Sequence, residues 1–308
     1  MSFITENTLD FLTNLGNVSD AAEVERIRRI NTHVHLPPNY SAFASVEQAV
    51  ELAAERGLAV LGADNYYDYS VYRRFARAAQ RRGIFPLFNT EIIALEKDLQ
   101  TQGIRVNDPA NPGKYYIGGK GITRFETPST KARELMQRIR GNDLERMAAI
   151  VEKMTKVFYR HGLKTNLNDV MLRQELADRY GCNVDMVVLQ ERHVAEAFQE
   201  IFFDWVEIDK RKKTLENMLG VEYTFDAEDG GACQQSLRSH LMKADKSCYV
   251  EERFINLAQA CELIHELGGI ACYPVLADGT RPHCEYEATV EKLVDNMRIY
   301  QFCMVEFI

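Results

Sequence analysis

From residue 30 to residue 93, short apolar runs alternate with amphipathic stretches, and this alternation restricts the fold more than any other feature. Residues 30–35 read as a strand. Ser45, Val46, Glu47 and Gln48 form a capping box. The helix after it buries Val46, Ala49, Val50 and Ala53 on one face and stops at Gly57. Residues 58–63 are short and apolar, as a buried parallel strand should be. A second helix over 70–82 turns Tyr72, Phe75, Ala76 and Ala79 inward, and Gly83 ends it. Residues 84–88 make a third strand. Three strands joined through helices predict an α/β fold with a parallel sheet and right-handed crossovers.

In such folds the site lies at the C-terminal strand ends. The side chains there are His33 and His35, then Asp64 and Asn65, then Glu91. His33 and His35 are two apart in an extended segment, so both imidazoles leave one face of the strand. Two imidazoles and a carboxylate suit zinc, manganese or iron. Glu91 is the right type to hold such an ion, and Asp64 to orient a ligand or act as an acid.

Residues 95–130 are rich in breakers, with Asn107-Asp-Pro-Ala-Asn-Pro-Gly113 and Gly118-Gly-Lys-Gly121, and read as a long loop insertion. Residues 131–260 read as mainly helical, with helices over 129–160, 167–180, 191–205 and 254–267. A strand over 270–276, a helix over 285–297 and a strand over 300–308 follow. Residues 1–27 read as an N-terminal helical extension to a domain spanning 28–308. Ending on a strand with no helix after it points to a missing remainder.

The charge balance is 45 acidic against 37 basic residues, a net of -8, which disfavours a nucleic-acid binder. Seven scattered cysteines without a CxxC pair argue against a disulfide framework and for a reducing cytoplasm. The start lacks the basic and apolar regions of a signal peptide. No apolar run is long enough to span a bilayer.

Five stretches in this order resemble the PHP (polymerase and histidinol phosphatase) family. They are Asn31-Thr-His-Val-His35, Ala63-Asp-Asn65, Asn89-Thr-Glu91, Arg192-His-Val-Ala195 and Gly268-Gly-Ile-Ala-Cys-Tyr-Pro274. The resemblance covers roughly residues 28 to 308. It implies a distorted (β/α)7 TIM-like barrel that carries divalent metal ions and hydrolyses phosphoesters. By that resemblance His33 and His35 hold the first metal, Glu91 bridges it to a neighbour, and His193 holds the neighbour. The departures are Asn65 and Tyr273, each where the family has histidine, Pro37-Pro-Asn-Tyr-Ser41 in place of an acidic site, and the lack of a closing Asp-x-His. They reduce the expected site to one or two ions.

A small phosphorylated substrate calls for guanidinium partners. Arg192 and Arg281 sit beside site positions, with Asn65 and Tyr273 as pocket lining. Lys120 and Arg124 in the loop are further cations, and Tyr66, Tyr67 and Tyr69 can wall a pocket. His161 and His265 read as structural, His240 has no reading, and His283 can replace a missing ligand. Three functions compete: a metal-dependent phosphoesterase, a degenerate barrel that only binds or scaffolds, and a hydrolase of C–N bonds. The Arg192-His-Val-Ala195 and Gly268-Gly269 stretches favour the first over the third.

Overall fold

The computed structural model describes residues 29–276, 284–300, 302 and 304–307. The expected extension over 1–27, Arg281 and His283 lie outside the described residues. Strands β1 (Arg29–Val34), β2 (Leu58–Ala63) and β3 (Phe85–Phe88) form a parallel sheet in the order β1-β2-β3. The crossovers are α1 (Val46–Glu55) and α2 (Tyr72–Arg81). Ser45 Oγ accepts the Gln48 N–H, and Gln48 reaches back to the Ala44 N–H. Val46, Ala49, Val50 and Ala53 are buried on α1, and Tyr72, Phe75, Ala76 and Ala79 on α2, as the helical spacing predicts.

The stretch expected to be a long loop is irregular over most of its length but carries a short helix and a strand. Strand β4 (Thr90–Leu95) starts two residues after β3, and α3 (Lys97–Thr101) follows it. β5 (Lys114–Lys120) then pairs antiparallel with β4, placing Gly118 opposite Glu91. The glycines of β5 serve packing rather than a turn. A Cβ on Gly119 would lie 2.7 Å from Thr90 Cγ2 and 2.9 Å from Ile264 Cγ1. Alternation in the same strand buries Tyr115 and Ile117 fully.

Helices α4 (Thr130–Arg160), α5 (Asp169–Tyr180), α6 (Glu191–Trp205), α7 (Ile208–Leu219) and α8 (Gly230–Leu237) form the helical segment. They pack a hydrophobic cluster of their own around Ile150, Phe158, Phe198 and Phe202. The first third of α4, through Ala132, Leu135 and Ile139, joins instead the cluster against the sheets. α9 (Leu257–Glu266) is capped by an Asn256–Gln259 box and buries Leu257, Ala260, Leu263 and Ile264. β6 (Ile270–Val275) pairs antiparallel with β5 and parallel with β7 (Met304–Phe307), and α10 (Val290–Ile299) links the two.

Among the described residues the strands hydrogen-bond into two sheets, β1-β2-β3 and β4-β5-β6-β7, and not into one all-parallel ring. The physical reason is β5, which runs against both its neighbours. The sheets meet through Asn89 between β3 and β4, where the Thr32 hydroxyl of β1 hydrogen-bonds Glu306 of β7, and where Lys120 of β5 donates to the Thr32 carbonyl. No described helix is long and apolar enough to cross a membrane.

Candidate metal centre

The second residue of β4, Glu91, is buried between the two imidazoles. Its Oε2 lies 3.2 Å from His35 Nε2 and 3.8 Å from His33 Nε2. The other nitrogen of His33, Nδ1, is 3.1 Å from Glu306 Oε2 and 3.4 Å from Asp64 Oδ2. Two overlapping groups of potential ligands result, His33–His35–Glu91 and His33–Asp64–Glu306, each with its ligand atoms within 4.8 Å of one another. Lys120 of β5 reaches the second group. Its Nζ is 2.6 Å from Asp64 Oδ2 and 2.8 Å from Glu306 Oε2, and it donates to the Thr32 carbonyl at 3.2 Å.

The electrostatics follow from these contacts. Burial by itself would raise the Glu91 carboxyl, but hydrogen bonds from His33 and His35 hold it well below the ordinary carboxylate range. Burial would lower His33, yet hydrogen bonds to Glu306 and Glu91 raise it to about 10. Burial would raise Glu306, and His33, Lys120 and Thr32 hold it at about 2. Asp64 is fully buried, which pushes its carboxyl up, while the Lys120 ammonium pulls it back.

The first group fits a divalent ion. A tetrahedral site with bonds of about 2.1 Å separates its ligand atoms by about 3.4 Å, and the observed 3.2 and 3.8 Å bracket that spacing. Two histidines and a glutamate are a known catalytic donor set that keeps a position open. A ligating histidine usually gives its other N–H to a carboxylate, and Glu306 is placed to take it from His33. The His35 ring stacks on Tyr66 at 5.0 Å and 6°, and the Tyr66 phenol hydrogen-bonds Glu91. Tyr66 and Tyr67 line the cleft, whereas Tyr69 turns into the core and hydrogen-bonds the Thr90 hydroxyl.

Three expected site residues are placed elsewhere. Asn65 clasps the chain after β1, accepting from the Leu36 N–H and donating to the Leu36 carbonyl, so both ends of its amide are engaged by the backbone. Tyr273 faces away from the cleft because strand alternation turns its neighbour Cys272 toward it. Its hydroxyl donates to Glu287 at 2.8 Å. His193 is in neither ligand group. It sits at the third position of α6, where Nδ1 accepts the Gln190 N–H in a capping box and Nε2 is buried without a partner.

Burial lowers His193 to about 3, with Arg179 adding to the effect. Below pH 6.5 the unfolded chain therefore takes up a proton that the native state refuses. Stability should fall by about 1.4 kcal/mol per pH unit from 6.5 toward 3. His193→Gln keeps the capping box and should remove this slope. Urea melts of both proteins at pH 7, 6 and 5 check it, and parallel pH dependences would refute it.

The ligand groups open into a cleft of about 1650 Å³. Its other wall is cationic. Around Glu191 stand Arg146 at 2.5 Å, Lys243 at 2.5 Å and Arg238 at 3.6 Å. Arg192 lies over the Tyr40 ring at 5.5 Å and lines the same cleft. Glu252 takes Lys114 at 3.0 Å and touches Arg146 at 3.6 Å. The Arg238 Nε is buried without a partner. Asp143 also lines the cleft, its carboxyl raised to about 7 by burial against the pull of Arg146.

No family model and no curated protein matches this chain. Solved structures do. An amidohydrolase from Chromobacterium violaceum, solved with bound sulfate and no metal, has a TM-score of 0.56 at 17% identity, over 90% of this chain and 75% of its own. A protein assigned as a metal-dependent phosphoesterase, from Bifidobacterium adolescentis, has a TM-score of 0.57 at 13% identity, over 91% of this chain and 77% of its own. At such identities the likeness is one of fold alone.

Proposed function

We propose that the chain is a metal-dependent hydrolase of small phosphorylated substrates, with His33, His35 and Glu91 as the metal ligands. The two sheets together would then serve as the distorted TIM-like barrel of the PHP family. The observation that carries the reading is the cationic wall facing the ligand groups across one cleft. A neutral amide needs no such wall, so it favours phosphoesters over C–N bonds. Guanidinium forks match phosphoryl oxygens, and Arg238 has a buried donor still to satisfy.

A divalent cation at this centre acidifies water and polarises a phosphoryl oxygen. The chain does the rest. Glu91 supplies negative charge between the imidazoles. Glu306 orients the His33 ring, and Tyr66 the His35 ring. Arg192 and Arg238 hold and orient the anionic substrate. Asp143 can carry a proton at neutral pH in the same cleft. Such an enzyme would work in the cytoplasm on a small molecule, with no nucleic-acid partner.

The test is purification without chelator, metal analysis, and assay of a phosphoester panel with added manganese, zinc or iron. Turnover with at least one substrate is expected. Arg238→Met should raise KM by about 10-fold or more with a smaller change in kcat, because a charged hydrogen bond contributes roughly 1.5–3 kcal/mol. Less than about half an equivalent of metal together with no turnover would leave the non-catalytic reading standing.

A further inference from the structure

We infer that the Lys120 ammonium is a built-in cation that takes the place of a second metal ion, so that the centre is mononuclear. This rests on reading His33–His35–Glu91 as the metal site, and it concerns the neighbouring group, His33–Asp64–Glu306. That group has the spacing of a metal site, yet the ammonium already stands within it. An ammonium has three donors and no acceptor. Here it finds three oxygens, Asp64 Oδ2 at 2.6 Å, Glu306 Oε2 at 2.8 Å and the Thr32 carbonyl at 3.2 Å. Two of the three donors are used on the carboxylates that an ion would need.

Two further observations agree. The first is space. Gly118 is two residues before Lys120 on the same face of β5, and a Cβ there would lie 3.0 Å from Lys120 Cε and 3.5 Å from Nζ. Glycine leaves room for the lysine arm to lie along the strand. The second is charge. With His33 neutral, as a metal ligand must be, the carboxylates of Asp64, Glu91 and Glu306 face one ammonium. One divalent cation closes the remaining deficit, and two would overshoot it. Buried charges are tolerated when paired and hydrogen-bonded, which favours the single ion.

The lysine also has a positioning role. By holding Glu306 it keeps that carboxylate on His33 Nδ1, which leaves Nε2 directed toward Glu91. A covalently tethered charge cannot dissociate, so this half of the centre stays assembled whatever the free metal concentration. It also carries a smaller charge than a divalent ion and presents no open coordination position.

Metal counting tests the inference without any substrate. The full chain is stripped with chelator, dialysed against manganese and analysed for metal per chain, with electron paramagnetic resonance to separate isolated from coupled ions. The wild type should hold about one ion with an uncoupled spectrum. Lys120→Met frees Asp64 and Glu306 and should hold one ion more, with a coupled spectrum. Lys120→Arg keeps the charge and should match the wild type. Equal counts for folded Lys120→Met and wild type would overturn the inference, as would two ions in the wild type. If Lys120→Met does not fold, the wild-type count and spectrum decide. No ion in the wild type but one in Lys120→Met would keep the lysine assignment while removing the proposed centre at Glu91.

Discussion

Glu91→Ala should abolish metal retention and turnover together. Glu91 is the one carboxylate between His33 Nε2 and His35 Nε2, and without it two neutral imidazoles remain to hold a dication. Loss of an outer partner of a metal ligand typically costs 10–100-fold in affinity or activity. Loss of Glu91 itself should exceed that, to on the order of 100-fold or more in metal affinity. Glu91→Gln keeps the shape and loses the charge, so it should behave like alanine if the charge matters. Equilibrium dialysis measures the affinity, and circular dichroism shows that the variants fold. Full metal content in a folded Glu91→Ala protein would place the ion elsewhere. His193→Gln serves as the contrasting variant, because His193 belongs to neither ligand group.

Phe198→Ala should cost about 3–5 kcal/mol of stability, the usual range for a fully buried phenylalanine. Its ring packs edge to face on Phe158 at 4.7 Å in the centre of the helical cluster. Truncation removes both the buried area and the aromatic contact and leaves a cavity. A lower denaturant midpoint with an unchanged slope would report stability alone. The proposed metal ligands adjoin Val34, Leu36 and Ile92 of the other cluster, so metal bound per folded chain should not change. A loss below about 1 kcal/mol would mean that α4 and α6 are not packed as described.

The start of the fold was legible because local signals agreed there. Ser45 and Gln48 marked a helix start, Gly57 and Gly83 marked ends, and the apolar periods matched the elements between them. The Gly118-Gly-Lys-Gly121 stretch misled because glycine reads as a breaker. Here it admits Thr90, Ile264 and the Lys120 arm, all supplied by distant sequence or by packing. Lys120 therefore moved from an exposed loop cation to the heart of the site. Glu306 carried no motif. Its one signal was an acid within a short apolar strand, Met304-Val305-Glu306-Phe307.

The limits at Asn65 and Tyr273 are of another kind. A family resemblance gives a position along the chain and not the direction of a side chain. The Asn65 amide was already committed to Leu36, and Tyr273 points to the opposite face from Cys272. His33, His35, Asp64 and Glu91 did converge, because each ends or begins a strand at the same rim. The cationic wall was half visible through Arg192. Arg146 of α4 and the Arg238–Lys243 turn after α8 are distant in sequence, and only the fold assembles them around Glu191.

The long helix α4 has roots in both hydrophobic clusters, and the two halves of the cleft divide along the same line. The imidazole-bearing strands belong to one mass, the guanidinium-bearing helices to the other, and this single rod crosses between them. Any occupant reaching from one wall to the other would act as a brace. How it sits at the imidazole end would then depend partly on how firmly the far end is gripped, with this one beam setting the distance between the two grips.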